Sequence, residues 1–182
     1  IQVVSYEYQA KKGNLLGKKT YQIFLIINGV LGPILLGTAV GTFFNGAEFS
    51  VNKGQMTDIA MPVISTWNNS LHGLEAAFVF WNVCLGLAVF FLARVQALLY
   101  FINNISDADL VKRCRRALWG NTGLFLVFFL LFLVRLMLVD GFAVNPETQE
   151  VFMQPYKYFI NLIEMPAVLA VLLVGVVLVL FG

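Results

Sequence analysis

Charged residues are scarce in this sequence of 182 residues. They account for 12% of it, about half the share found in an ordinary soluble domain. Hydrophobic residues account for 59%, and the mean hydropathy is +0.81. A soluble domain of this size has too little polar surface to cover so many apolar side chains. The composition therefore excludes a soluble globular protein and predicts an integral membrane protein.

Cysteine and histidine are also rare. The two cysteines, Cys84 in an apolar run and Cys114 in a basic segment, give neither a disulfide framework nor a metal-ligand spacing. His72 is the single histidine, and no Walker A, HExxH or CxxCH motif is present. We therefore expect no catalytic centre and no metal site within the chain. The net charge of +2 is too small to indicate a nucleic-acid partner.

Four long apolar runs make up most of the chain. Each has the roughly 20 residues that a helix needs to cross about 30 Å of hydrocarbon. We expect an all-α, polytopic membrane fold with four transmembrane helices, at 21–44, 71–103 (with a cytoplasmic extension), 117–139 and 155–182. The other segments are 1–20, the end of a preceding helix and a cytoplasmic loop; 45–70, an outer loop; 104–116, a basic cytoplasmic loop; and 140–154, a second outer loop.

Basic residues are concentrated in alternate segments of the chain. Segment 45–70 has Lys53 against Glu48 and Asp58, and segment 140–154 has three acids and no base. Because lysine and arginine are retained on the cytoplasmic side, both ends of the chain are expected there. The ends also suggest an internal piece of a larger protein with its last helix truncated. The eight basic residues that set this orientation are Lys11, Lys12, Lys18, Lys19, Lys112, Arg113, Arg115 and Arg116.

Small residues recur at four-residue intervals in the first apolar run. Gly37 and Gly41 form a GxxxG spacing, which lets a neighbouring backbone approach closely. Pro33 predicts a kink in the same helix. A tight helix-packing seam is the favoured interpretation, and a flat surface for a quinone ring or a lipid is the alternative. The residues of this predicted seam are Gly29, Pro33, Gly37 and Gly41.

Five ionisable residues lie toward the predicted outer ends of the later helices. Asp140 is one of them, and the other four form a candidate polar cluster: His72, Glu75, Arg135 and Glu164. A lone charge in the bilayer is costly, so such groups pair or face a cavity. We favour an ion pair of Arg135 with Glu164 or Glu75 that locks helices together. A polar path or proton relay near a buried cofactor is the alternative. His72 and Glu75 would share a helix face, but one histidine and one carboxylate give weak evidence for a metal site.

Four segments of the sequence resemble subunit II of cytochrome bd-type quinol oxidases. They are Val4 to Gln9 (VSYEYQ) before the first lysines, Leu36 to Gly46 (LGTAVGTFFNG), His72 to Ala77 (HGLEAA) and Asp140 to Pro146 (DGFAVNP). The resemblance covers nearly the whole chain and implies helices four to seven of about nine. Gln9 and Thr42 depart from the family pattern, so no role is transferred to them.

The resemblance implies a two-subunit respiratory complex of the bacterial cytoplasmic (inner) membrane that oxidises quinol and reduces oxygen to water. Haems b558, b595 and d are expected in the partner, subunit I, as is the main quinol site. Subunit II would scaffold subunit I and support proton or oxygen access, with lipids around it and a bound quinone as an option. A transporter subunit and a purely structural membrane anchor remain as alternative functions.

Overall fold

The computed structural model describes residues 1–14, 16–51 and 65–181, with the backbone alone at 180. Most of the predicted outer loop 45–70, including Lys53 and Asp58, lies outside these residues, as does Gly182. The chain divides into two compact units, Ile1–Phe129 and Leu130–Gly182. The elements in order are α1 (Gln2–Tyr8), α2 (Lys18–Asn45), β1 (Phe49–Val51), β2 (Ser65–Trp67), a 3-10 helix (Leu74–Phe78), α3 (Phe80–Asn104), α4 (Ala108–Leu138), β3 (Gly141–Val144), β4 (Val151–Gln154), α5 (Lys157–Glu164) and α6 (Pro166–Phe181).

The fold is mostly helical, and three of its helices are long and apolar enough to cross a membrane. These are α2, α3 and α4; α5 and α6 satisfy the same test only as a bent pair. The most apolar part of each long helix is only 11% buried within the protein. That much exposed apolar surface requires lipid or another membrane subunit around it. The structure therefore gives three to four candidate crossings, together with two small antiparallel sheets that the all-α prediction did not include.

Glycines mark both ends of α2. Gly17 precedes the helix with φ 78, and Gly46 follows it with φ 76, donating its N–H to the carbonyl of Thr42 at 2.8 Å. A glycine with positive φ is a common helix terminator because it has no Cβ to clash. Pro33 lies inside α2, which remains one element from Lys18 to Asn45. The helix therefore extends slightly beyond the predicted 21–44 at both ends.

The predicted helix 71–103 is wrong over its first nine residues. His72 and Gly73 have positive φ values of 49 and 92, and Val79 is extended, so the chain forms a turn and a 3-10 helix before α3 begins at Phe80. Two consecutive left-handed residues cannot continue a right-handed helix. His72 and Glu75 consequently do not share a face of a membrane helix.

The predicted basic loop 104–116 is also largely helical. Asp107 accepts a hydrogen bond from the Leu110 N–H at 2.9 Å through its side chain, as an N-cap aspartate does, and α4 follows directly at Ala108. Helix α4 therefore begins about two and a half turns before the predicted start at 117, since the cap sets its start rather than the first apolar residue. The four basic residues Lys112, Arg113, Arg115 and Arg116 lie on the first turns of α4.

The predicted continuous helix 155–182 is interrupted. Tyr156 has a positive φ of 56, α5 runs from Lys157 to Glu164, and α6 begins at Pro166 after a bend of 100°. Proline has no N–H for the helical ladder and restricts the residue before it, and Met165 is accordingly outside the helical region at φ −114 and ψ 75. The last apolar run is thus two helices with different directions.

Within the second unit, α5 packs on the β3–β4 hairpin. The strands pair with Phe142 opposite Met153 and Ala143 opposite Phe152, and Ala143 is buried. Gly141 allows α5 to approach closely, because a Cβ there would lie 2.8 Å from the Cβ of Lys157. The hairpin and α5 therefore form one folded element at the start of α6.

Candidate functional site

The backbones of α2 and α3 touch at a pair of glycines. A Cβ on Gly37 would lie 2.7 Å from the Cα of Gly86 and 2.9 Å from the carbonyl oxygen of Leu85. A Cβ on Gly86 would lie 2.6 Å from the carbonyl oxygen of Ile34. All three distances are well below ordinary contacts of about 3.5–4.0 Å between carbon atoms. Any side chain at either position would push the two helices apart.

The residues of the predicted seam differ in their surroundings. Gly37 and Gly41 are buried against α3, where a Cβ on Gly41 would meet the side chain of Asn82 at 2.8 Å. Gly29 is exposed, and a Cβ there would have no heavy atom within 4 Å. Pro33 is half-buried between them. Helices α2 and α3 therefore approach each other closely in the C-terminal half of α2, which ends at Asn45.

Asn82 ties three elements together at this contact. It is fully buried, at 0% exposure. Its amide nitrogen donates to the carbonyl oxygen of Ala76 in the 3-10 helix at 2.9 Å, and its amide oxygen accepts from the side chain of Asn45 at the end of α2. Because both polar atoms of Asn82 are engaged, the side chain fixes the arrangement of α2, α3 and the 3-10 helix.

A second tie joins α3 to α4 within the first unit. The buried thiol of Cys84 donates to the carbonyl oxygen of Phe128 at 3.4 Å. The rings of Phe91 and Phe128 stack with centroids 5.8 Å apart. Cys84 therefore has a packing role, in agreement with its apolar surroundings.

The four residues of the predicted polar cluster fall into both units. His72 is exposed on the turn before the 3-10 helix, and Glu75 is part of that helix. Arg135 lies in the last turn of α4, where a cation suits the carbonyl end of a helix, and Glu164 is the last residue of α5. Their assembly into one cluster stays a prediction.

Glu75 has two carboxylate oxygens in unlike surroundings. One oxygen, Oε2, accepts a hydrogen bond from the N–H of Gly73 at 3.0 Å. The other, Oε1, is buried, and the residues that the structure describes give it no hydrogen-bond donor. A buried acceptor without a donor costs roughly 1–3 kcal/mol. Glu75 is therefore the polar residue of this region most in need of a further partner.

The described part of the chain shows no cluster of side chains that suits a metal ion. In ranges 1–14, 16–51 and 65–181 no group of three or more His, Cys, Asp and Glu side chains could hold a metal ion. Haem iron is held by axial His, Met, Cys or Tyr ligands in an enclosing pocket, whereas His72 is exposed on a turn. No step of the chemistry is therefore assigned to a cofactor on this chain.

The sequence interpretation missed Asn82, Asn45 and Gly86. A signal was present, because Asn82 and Gly86 stand four residues apart in an otherwise apolar run and thus share a helix face. That spacing matches Gly37 and Gly41 on the partner helix. Two small or polar pairs at the same spacing on consecutive runs indicate helices that pack against each other.

These helices and their packing define a multi-pass helical membrane protein whose interior polar groups join helices to one another. The family model described as cytochrome bd terminal oxidase subunit II matches residues 1–182. The chain therefore belongs to that family, which confirms the resemblance drawn from its sequence. A direct sequence comparison with curated proteins finds no match.

Membership of the family establishes the general role. The chain is a subunit of a haem-containing respiratory oxidase, an oxidoreductase complex in which subunit II associates with subunit I. The apolar helices agree with a multi-pass membrane location. A transporter subunit, the first alternative from the sequence, does not agree with this family.

Proposed function

We propose that this chain is the non-haem-binding subunit of a quinol:oxygen oxidoreductase and that it scaffolds the haem-bearing subunit I. The proposal rests on the close contact between Gly37 and Gly86 and on the fully buried side chain of Asn82 beside it. The two backbones lie close together and the amide groups are hydrogen-bonded. Such a contact makes the helix pair rigid, but it contains no group that would react with a substrate. A rigid helix pair of this kind suits a chain that supports another subunit.

The cofactors and the quinol site belong to subunit I in this proposal. Haems b558, b595 and d would be bound there, and quinol would be oxidised there, with lipids covering the remaining apolar surface of both subunits. Support comes from the exposed position of His72, which is unsuited to an axial ligand. A quinone bound to this chain remains an option that the scaffold role does not require.

The proposed orientation places both ends of the chain in the cytoplasm of a bacterium. Lys18 and Lys19 lie in the first turn of α2, and Lys112 and Arg113 near the start of α4. Positive charges beside two helix ends favour the cytoplasmic side of the inner membrane. The acidic turn with Glu147 and Glu150 would then face the outside.

If the chain is a scaffold, a variant that disrupts its helix packing should change how much oxidase assembles, but not how fast the assembled oxidase consumes oxygen. Gly86→Leu should lower the amount of assembled oxidase, measured by haem d absorbance, because it forces α2 and α3 apart. Oxygen uptake with quinol per haem d should stay unchanged in the complex that does assemble. Gly29→Leu on the open part of α2 is the control. Normal assembly with reduced turnover per haem d would contradict the proposal.

A second role, in a polar path, is favoured by Glu75. Its buried oxygen Oε1 can accept a hydrogen bond from a water molecule or from subunit I. Glu75→Gln preserves the shape and one acceptor oxygen but removes the exchangeable carboxyl proton. If Glu75 conducts protons, the variant should assemble normally and consume oxygen more slowly per haem d. Unchanged turnover would leave Glu75 with a structural role alone.

A further inference from the structure

Helix α5 is amphipathic, and its apolar side is uncovered within its own unit. Lys157, Asn161 and Glu164 follow one another at steps of four and three, so they share one side of the helix. Phe159 and Ile163 lie on the opposite side and are 47% and 56% exposed. In a soluble domain the apolar side of such a helix faces the core. In α5 it faces outward.

The direction of α5 explains what can cover this side. Helix α6 has no charged residue and is apolar all round, as expected of a helix surrounded by lipid. Only Met165 separates it from the end of α5, and the two helices meet at a bend of 100°. A helix nearly perpendicular to a membrane-crossing helix runs along the membrane surface. Helix α5 would therefore lie where α6 enters the bilayer.

The residues at the start of α5 suit this depth. Tyr156 is 52% exposed, and Lys157 and Tyr158 follow it. Tyrosine is enriched at the headgroup level, where its ring is in apolar surroundings and its hydroxyl in water. Lysine extends its ammonium group from an apolar surface toward water in the same region. These side chains suit the boundary between lipid and water better than the interior of the bilayer.

We infer that α5 is an interfacial helix, lying in the headgroup region with Phe159 and Ile163 against the acyl chains. On its other side, Lys157 and Asn161 are half-buried, with Lys157 against Gly141 of the β3–β4 hairpin, and Glu164 at the end of the helix is exposed. The hairpin therefore lies on the water side of α5. We assign lipid rather than protein to the apolar side because α6, which follows after the single residue Met165, is apolar all round, as expected of a helix in lipid. Interfacial helices of this type insert their apolar side about 5–10 Å. The inference goes beyond the proposed function and depends only on the membrane location of the chain.

The depth of α5 can be measured by spin labels on the intact oxidase in lipid nanodiscs. Single cysteines at positions 157, 159, 161 and 163 would be labelled one at a time, with native Cys84 and Cys114 replaced by serine. Molecular oxygen concentrates in the bilayer, and a nickel chelate stays in water. The ratio of collision rates with the two should be severalfold higher at 159 and 163 than at 157 and 161. Val171→Cys on α6 is the lipid reference, and Thr148→Cys in the hairpin turn is the water reference.

Three results would overturn the inference. A ratio that changes in one direction from 157 to 163 would mean that α5 crosses the membrane, because an upright helix rises about 9 Å over these residues. Exclusion of both reagents at 159 and 163 would mean that a protein subunit covers them. Free access of nickel there would mean that α5 is in water. If Phe159→Cys prevents assembly, positions 161 and 163 carry the test. Oxygen uptake by the same samples reports on the proposed function separately.

Discussion

Replacing Gly37 by alanine should loosen the contact between α2 and α3. The new Cβ would lie 2.7 Å from the Cα of Gly86 and 2.9 Å from the carbonyl oxygen of Leu85. Both atoms belong to the backbone, so no side chain can rotate away. To reach a normal carbon contact the helices must separate by about 1 Å. A matched control is Gly29→Ala on the same helix, where the Cβ meets no atom within 4 Å.

The loss of stability expected for Gly37→Ala follows from two opposed effects. Overpacking of a tight contact costs typically about 1–3 kcal/mol, and a gap of about 0.5–1 Å forfeits a quarter to a half of the dispersion energy of the lining atoms. Alanine in place of glycine gains up to about 1 kcal/mol of helix propensity at both sites. The control removes that gain from the comparison. We expect Gly37→Ala to be about 1–3 kcal/mol less stable than Gly29→Ala.

Thermal unfolding of the purified oxidase in one detergent gives the measurement. A shift of about 2–4 °C accompanies each kcal/mol in a folded unit of 150–250 residues, so Gly37→Ala should unfold several degrees below Gly29→Ala. Gly86→Ala should behave like Gly37→Ala because it opens the same contact from α3. Equal unfolding temperatures for Gly37→Ala and Gly29→Ala would refute the close packing of these two helices.

Three further predictions concern polar residues and orientation. Asn82→Leu should lower the unfolding temperature more than Asn121→Leu in the same assay, because Asn82 joins separate elements whereas Asn121 donates to the carbonyl of Ala117 in its own helix; equal shifts would contradict this ranking. Lys11 donates to Glu7 at 2.7 Å, and this bond and the charge of Lys11 lower the pKa of Glu7 and raise the pKa of Lys11. The stabilisation is therefore present above the ordinary pKa of Glu7 and lost as pH falls through the lowered value, so the difference between wild type and Glu7→Gln should disappear in acid; a constant difference would argue against it. Cysteines placed at positions 66 and 112 should react with an impermeant maleimide from the outer and the cytoplasmic side, and labelling of both from one side would reverse the proposed orientation.

Much of the helical content could be predicted from hydropathy. The first and third apolar runs correspond to α2 and α4, since a long apolar stretch in a membrane protein has few alternatives to a helix. Window-averaged hydropathy does not detect a change of backbone at one residue. It therefore missed the turn at His72 and Gly73 and the bend before Pro166. The signals there are local: a glycine with positive φ and a proline without an N–H.

The start of α4 illustrates a signal that was present but not weighed. Asp107 is followed by Ala108, Asp109 and then apolar and basic residues, a sequence typical of a helix N-terminus with an acidic cap. The charge pattern was instead interpreted as a loop, because basic residues next to a membrane helix are common in loops. A basic segment and a helix are compatible when the helix extends past the bilayer into water.

The candidate site was harder to predict because each of its contacts involves two distant segments. Gly37 and Gly41 indicate that a neighbouring backbone can approach, but nothing in their own segment identifies Gly86 as that neighbour. Asn82 alone in an apolar helix indicates that its amide needs partners, because unpaired polar groups are costly in the bilayer. The glycines of α2 thus need a neighbouring backbone, and the amide of Asn82 in α3 needs hydrogen-bond partners. The small residues of α2 supply space, and the amide of Asn82 supplies hydrogen bonds to both Asn45 and Ala76, so the same contact explains why all of them occur in this chain.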